Sequence, residues 1–284
     1  MKKINVFFIV LGGLALSLFI TCASSKEKTD EGLQNLGIDF DRQNGEITPE
    51  EEYYIGRAVA ANITAKYAIL DNPGLTGYVN KICGALTINS EKPEIFNGYH
   101  VRILDSDEIN AFATSGGHIF ITKGFLGATA SEDGLAAVIA HEVAHIQLRH
   151  AAKQIEDLRF VQQLSDVAGK AADALNIEQD TKVFADSVNS VVDKLMTNGY
   201  SQSQELEADS MALALLAGAG YTPSALVEVL NTLKSQQSSA QLDLGLEKTH
   251  PSPDIRLANV NAKVGAYSVE DTRSYRTARY QTSK

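Results

Sequence analysis

The 284 residues allow one large domain or two small ones, and 44% hydrophobic with 21% charged residues excludes both a wholly disordered chain and a multispan membrane protein. A formal net charge of −10 excludes a nucleic-acid binder, because phosphate contacts need a basic surface. Two cysteines, Cys22 and Cys83, exclude a disulfide framework.

Residues 1–21 read as an export signal: Lys2 and Lys3 precede an uncharged stretch from Val6 to Ile20, short of the ~20 apolar residues of a membrane span. Cys22 follows at once, with Ala23, Ser24 and Ser25 behind it, and this resembles a bacterial lipoprotein signal in which Cys22 carries the lipid. A cleaved secretory signal and a retained anchor are the alternatives, and all three place the remainder outside the cytoplasm. The lipid reading expects a periplasmic protein tied to a membrane, the outer membrane in preference. Residues 22–47 are polar and aperiodic, as a tether is, and the folded domain is expected over 48–265 with a tail at 266–284.

Thr48-Pro49-Glu50-Glu51 supplies an N-cap, a proline at the first helical position and a glutamate three residues after the cap, so a helix is expected to run to about Leu70. Tyr78 to Leu86 is an apolar helix in which Cys83 reads as a core thiol. Alternation at Tyr99, Val101 and Ile103, and at His118, Phe120 and Thr122, marks two short strands, with Gly116-Gly117 turning before the second. Ser131, Glu132 and Asp133 form a helix N-terminus that runs through apolar residues into His141-Glu142-Val143-Ala144-His145. Further helical patterns cover about 151–169, 181–197, 203–217 and 223–234; residues 235–249 read as a loop, and Ser252-Pro253 starts another helix. Residues 151–199 fit amphipathic helices over a cleft or a plain helical hairpin equally. The tail from Asp271 is polar and expected to be loose. Helices dominate over a little strand, an α+β class.

His141 and His145 lie four apart, about 40° apart on one helix face, so both imidazoles can reach one ion. Glu142, about 100° around, is placed to take a proton from water activated there. This is the H-E-x-x-H pattern of zinc hydrolases. His150 lies about 140° around the same helix from His145 and reads as a helix C-terminal or surface residue. A third ligand is expected from Gln204-Glu205-Leu206-Glu207-Ala208-Asp209. Glu205 and Asp209 share a face, Glu205 as ligand and Asp209 as an acceptor that orients a ligand histidine, while Glu207 points away from that face.

The segments NAFATSGGHIFITKGFL (110–126), AAVIAHEVAHIQLRH (136–150), YSQSQELEADSMALALLAGAGYTP (200–223) and THPSPDIRLANV (249–260) resemble the HtpX and CAAX-prenyl-protease-like zinc metallopeptidases, gluzincins, and in particular their soluble periplasmic lipoproteins. The resemblance covers about residues 50–265. It implies a predominantly helical α+β, zincin-type domain with a small sheet beside the H-E-x-x-H helix. It further implies one zinc on His141, His145 and Glu205, catalysis by Glu142 and support from Asp209. Gln202 and Ser115 stand where the family often has arginine and proline.

The expected reaction is hydrolysis of peptide bonds in extended or misfolded envelope proteins, a quality-control task. The strand His118 to Thr122 fits an edge or an interior position equally, and the resemblance implies an edge open to substrate backbone. The rival from another class is a lipoprotein that binds or chaperones envelope proteins through a protease-like cleft without cutting. Glu142 speaks against it, since binding alone needs no general base. His250, ahead of Pro251-Ser252-Pro253, reads by itself as a turn histidine; the family's His-Pro motif implies that it faces the zinc, as an oxyanion donor or as a latch on the fourth position. Arg256, one turn into the following helix, is the next cleft candidate.

Overall fold

The computed structural model describes residues 47–156, 199–238, 250 and 253–283. The expected signal at 1–21, the lipid site Cys22, the tether up to residue 46, and most of the helical patterns at 151–169 and 181–197 lie outside those residues. Thr48 caps the first helix, α1 (Pro49–Lys66): its Oγ1 accepts from Glu51 N–H while Glu51 Oε2 accepts from Thr48 N–H. The helix stops four residues before the expected Leu70, because Leu70 N–H donates to Ile103 O and Ala68 O accepts from Asp105 N–H. Pairing with a distant strand outcompetes one more helical turn. Ile47, expected in the tether, is buried against Ile155.

Helix α2 (Pro73–Thr87) starts at Asn72 and is followed by three strands, β1 (His100–Leu104), β2 (Ala111–Ala113) and β3 (His118–Thr122). The sheet order is β1-β3-β2, with β1 parallel and β2 antiparallel to β3. The strand His118 to Thr122 is therefore the interior strand, which corrects the expected edge; β2 is an edge instead. Alternation sorts the sheet's two faces. Val101, Ile103, Ala111, Ile119 and Ile121 enter the main core, while Leu104, Phe112 and Phe120 meet Val59 and Ile63 of α1. Gly116 and Gly117 turn the chain into β3 with φ of +76° and +94°. A Cβ on Gly116 would lie 2.4 Å from the Tyr53 Cα, so this turn seats α1 as well.

After the short α3 (Lys123–Ala128) comes α4 (Glu132–Gln147), buried along all 16 residues. Packed around it are α2, α5 (Gln202–Gly218), α6 (Ala225–Ser238) and α8 (Arg273–Ser283), with α7 (Pro253–Val264) against α5 and α6. α6 runs four residues beyond its expected end; the rest of the expected loop to 249 is outside the described residues. The tail is not loose. α8 buries Tyr280 completely and sends Arg276 to Asp133 and Arg279 to Glu132, the two acids in the first turn of α4. Among the described residues no helix is long and apolar enough to cross a membrane.

Candidate metal centre

Ser131 Oγ caps α4 by accepting from Gly134 N–H, and the helix carries His141 and His145 to the middle of the core. Their Nε2 atoms are 3.0 Å apart, with the rings edge to face. α5 crosses this point. Its N-terminus is fixed by a reciprocal cap between Ser201 and Gln204, so that Glu205 projects from the first turn. Glu205 Oε2 is 3.4 Å from His141 Nε2 and its Oε1 is 3.3 Å from His145 Nε2. His250 completes the group, its Nδ1 2.9 Å from Glu205 Oε1 and 3.3 Å from His141 Nε2. One atom from each of the four side chains lies within 4.8 Å of all the others. Around a tetrahedral zinc ion with bonds of about 2.0–2.1 Å, ligand atoms sit about 3.3 Å apart, so the spacing and the nitrogen–oxygen donor set both fit zinc.

Asp209, one turn after Glu205, brings Oδ1 to 3.0 Å from His141 Nδ1, the nitrogen facing away from the cluster. Arg256, buried on α7, donates through Nε and Nη2 to the two oxygens of Asp209 at 2.9 and 2.7 Å, and its Nη1 is 3.0 Å from Glu205 Oε2. Burial works against the charge of both carboxyls. The charges of His250 and Arg256 at Glu205, and of Arg256 at Asp209, outweigh it and hold both well below the usual carboxylate range. Burial first, and then the charges of His141 and His250, drive His145 well below the usual histidine value against the pull of Glu205, which favours the neutral imidazole that binds a metal. Glu142 differs from its neighbours. Burial raises its carboxyl above the ordinary range, Oε1 is 3.6 Å from His250 Nε2, and Oε2 has no hydrogen-bond partner among the described residues.

His141, Glu142, His145, Glu205, Asp209, His250 and Arg256 thus meet in one place. Cys83 is buried in α2, where burial pushes its thiol up to about 12. His150 departs from expectation: it is completely buried, with its Nδ1 2.9 Å from His145 Nδ1. The helical-wheel angle assumed one continuous helix, but α4 ends at Gln147 and Arg149 takes φ +58°, which turns the chain and returns His150 to His145. Sequence reasoning missed Tyr200, whose ring stacks on His145 at a centroid distance of 3.9 Å. Its only signal was its place just before the N-cap Ser201.

Residues 74–264, from α2 through α7, match the model of peptidase family M48. The chain is 25% identical over 270 residues to the beta-barrel assembly-enhancing protease of Yersinia pestis, covering 93% of this chain and 55% of that protein. Against the protein of the same name from Escherichia coli (strain K12) it is 26% identical over 216 residues, 74% of this chain and 43% of the other. The mitochondrial metalloendopeptidase OMA1 of Schizosaccharomyces pombe is 28% identical over 162 residues, 57% of this chain and 45% of that protein. The chain spans about half the length of these curated relatives. With the H-E-x-x-H helix, the glutamate helix and the His-Pro segment all inside the matched span, the chain belongs to peptidase family M48.

Proposed function

We propose that the chain is a zinc-dependent endopeptidase of the bacterial cell envelope that cuts extended or misfolded envelope proteins. The convergence of His141, His145 and Glu205 beside a buried Glu142 carries this reading. In it, the three ligands hold one zinc ion, and a bound zinc supplies Lewis acidity to a water and to the scissile carbonyl. Glu142 accepts the water's proton at Oε2, the oxygen that no protein group occupies, and hands it to the leaving amine. Its raised affinity for a proton suits the first half of that task. Asp209 accepts from His141 Nδ1–H and so aims Nε2 at the ion, and Arg256 in turn fixes Asp209.

An extended substrate suits the edge at β2. Thr114 N–H donates to His118 O and Thr122 N–H to Asn110 O, so the register turns the backbone groups of Ala113 away from β3. Ala113 shares its pocket with His145 and Tyr200. A peptide added there runs past the metal ligands with main-chain pairing and little demand on sequence. The envelope location rests on the export signal, Cys22 and the names of the bacterial relatives.

The test is zinc content with cleavage of an unfolded protein, wild type against Glu142→Gln. The substitution keeps the ligands and removes the base, so zinc stays at one per chain while turnover falls by about 10²–10⁴-fold. Full cleavage by Glu142→Gln refutes the mechanism, and a wild type that binds polypeptide but never cuts it establishes the chaperone reading.

A further inference from the structure

We propose that His150 and Glu207 act together as a positioning pair for the zinc ligand His145. The inference rests on the metal-site reading above and adds two residues to it. His145 turns Nε2 toward Glu205 and His141, so its Nδ1 is the nitrogen left over, and that atom lies 2.9 Å from His150 Nδ1. A neutral imidazole that gives Nε2 to a metal must carry its proton on Nδ1. His145 therefore donates, and His150 Nδ1 accepts.

The acceptor role fixes His150 in turn, since its proton must then sit on Nε2. That nitrogen is 3.3 Å from Glu207 Oε2, a carboxylate ready to accept. Every tautomer in the row Glu207, His150, His145 is set without an unpaired proton. His150 is not a fifth ligand, because its Nδ1 lies at the far side of the His145 ring from the cluster, and it is absent from the group of converging ligand atoms.

The local structure holds His150 for this role. Arg149, in its left-handed conformation, is anchored by Glu52, by Glu156 at 3.0 Å and by the Ile47 carbonyl at 2.7 Å. Tyr200 closes the face of the His145 ring. α5 thus serves both histidines with carboxylates of different reach. Asp209 contacts His141 directly, while Glu207, two residues after the ligand Glu205 and on another face, reaches His145 through His150.

Partners of this kind are worth roughly 10–100-fold in metal affinity. The measurement is the zinc dissociation constant of the whole protein by competition with a chromophoric chelator, together with the absorption spectrum of the cobalt(II) form. His150→Phe keeps the volume and removes both nitrogens; it should weaken zinc about 10–100-fold and shift the cobalt bands. His150→Gln, whose amide oxygen accepts from His145 Nδ1–H, should restore most of the affinity. Glu207 is 57% exposed, so Glu207→Ala tests the outer member without disturbing the core, and should weaken zinc by less than His150→Phe with an unchanged melting temperature of the metal-free protein. Unchanged zinc affinity and cobalt spectrum in Glu207→Ala, or in a folded His150→Phe, overturn the proposal. A wild type that binds no zinc refutes the metal-site reading instead.

Discussion

Tyr280→Ala tests whether the last helix is an integral wall of the folded domain, although α8 lies outside the span matched by the family model. The Tyr280 side chain is completely buried and its ring stacks on Tyr78 at 6.3 Å. Its hydroxyl donates to the Leu126 carbonyl at 2.9 Å and lies 2.7 Å from Thr129 Oγ1. Emptying an aromatic site of this kind costs about 3–5 kcal/mol. At about 2–4 °C per kcal/mol for a domain of this size, the melting temperature falls by about 6–20 °C. Tyr280→Phe keeps the ring and loses only the hydroxyl. Leu126 O still accepts from Thr129 Oγ1 at 3.0 Å, so that change costs about 0.5–1.5 kcal/mol. Circular-dichroism melts of the metal-free protein separate the two variants, because zinc binding then adds nothing to the native state. A Tyr280→Ala melt within about 2 °C of wild type, against the about 6–20 °C expected, refutes the integral-wall reading.

Burial raises the Asp133 carboxyl, but hydrogen bonds from Arg276 and from Thr222 N–H outweigh it and set the folded value below the ordinary one. A depressed carboxylate stabilises the fold above its unfolded value of about 3.9 and loses that contribution as pH falls through the folded value. The stability gap between pH 6 and pH 3, read from urea midpoints, should therefore narrow in Asp133→Asn, and an unchanged gap contradicts the assignment. Glu205→Ala should lose zinc, measured by metal analysis; full occupancy would promote Asp209 to ligand, since Glu207 lies on His150. His250→Ala should raise basal cleavage of an unfolded protein, because its Nδ1 stands among the ligand atoms, where a latch sits. A loss of about 10²-fold in turnover would make it an oxyanion donor instead.

What was legible in the sequence was what depends on neighbours along the chain. The caps at Thr48 and Ser131 start helices by bonds within four residues, and the i, i+4 pairs His141/His145 and Glu205/Asp209 share faces for the same local reason. Strand order is not local. The alternation at His118 to Thr122 is the same on an interior strand as on an edge, and Ala111–Ala113 is too short to show a period. The end of α1 was lost to pairing with β1, some 35 residues away in sequence. His150 was misread because one residue with positive φ, Arg149, resets the helical wheel. α8 reads as solvated because it has a single buried residue and three arginines. Its partners were visible only from the other side, as two acids at the head of an apolar helix that no nearby residue neutralises.

That helix has one conspicuous gap. A helix buried on every side must satisfy each polar side chain from other elements. Glu132 is met by Tyr78, Tyr221 and Arg279, and Asp133 by Arg276 and Thr222. Gln147 donates to Ser90 Oγ and Tyr99 Oη, while His141 and His145 turn one nitrogen to Asp209 and His150 and the other to the cluster. Among the described residues Glu142 Oε2 is the one buried side-chain atom of α4 left without a hydrogen bond, and its Oε1 has only His250 Nε2, at 3.6 Å. An unsatisfied buried oxygen costs about 1–3 kcal/mol, more when charged, and a fold that pairs the other polar side chains of the same helix had residues at hand to pair this one. In the mechanism proposed above, the exception falls on the side chain that takes and gives the proton. A protein partner for Oε2 would stabilise the helix and occupy the atom that the proposed reaction uses.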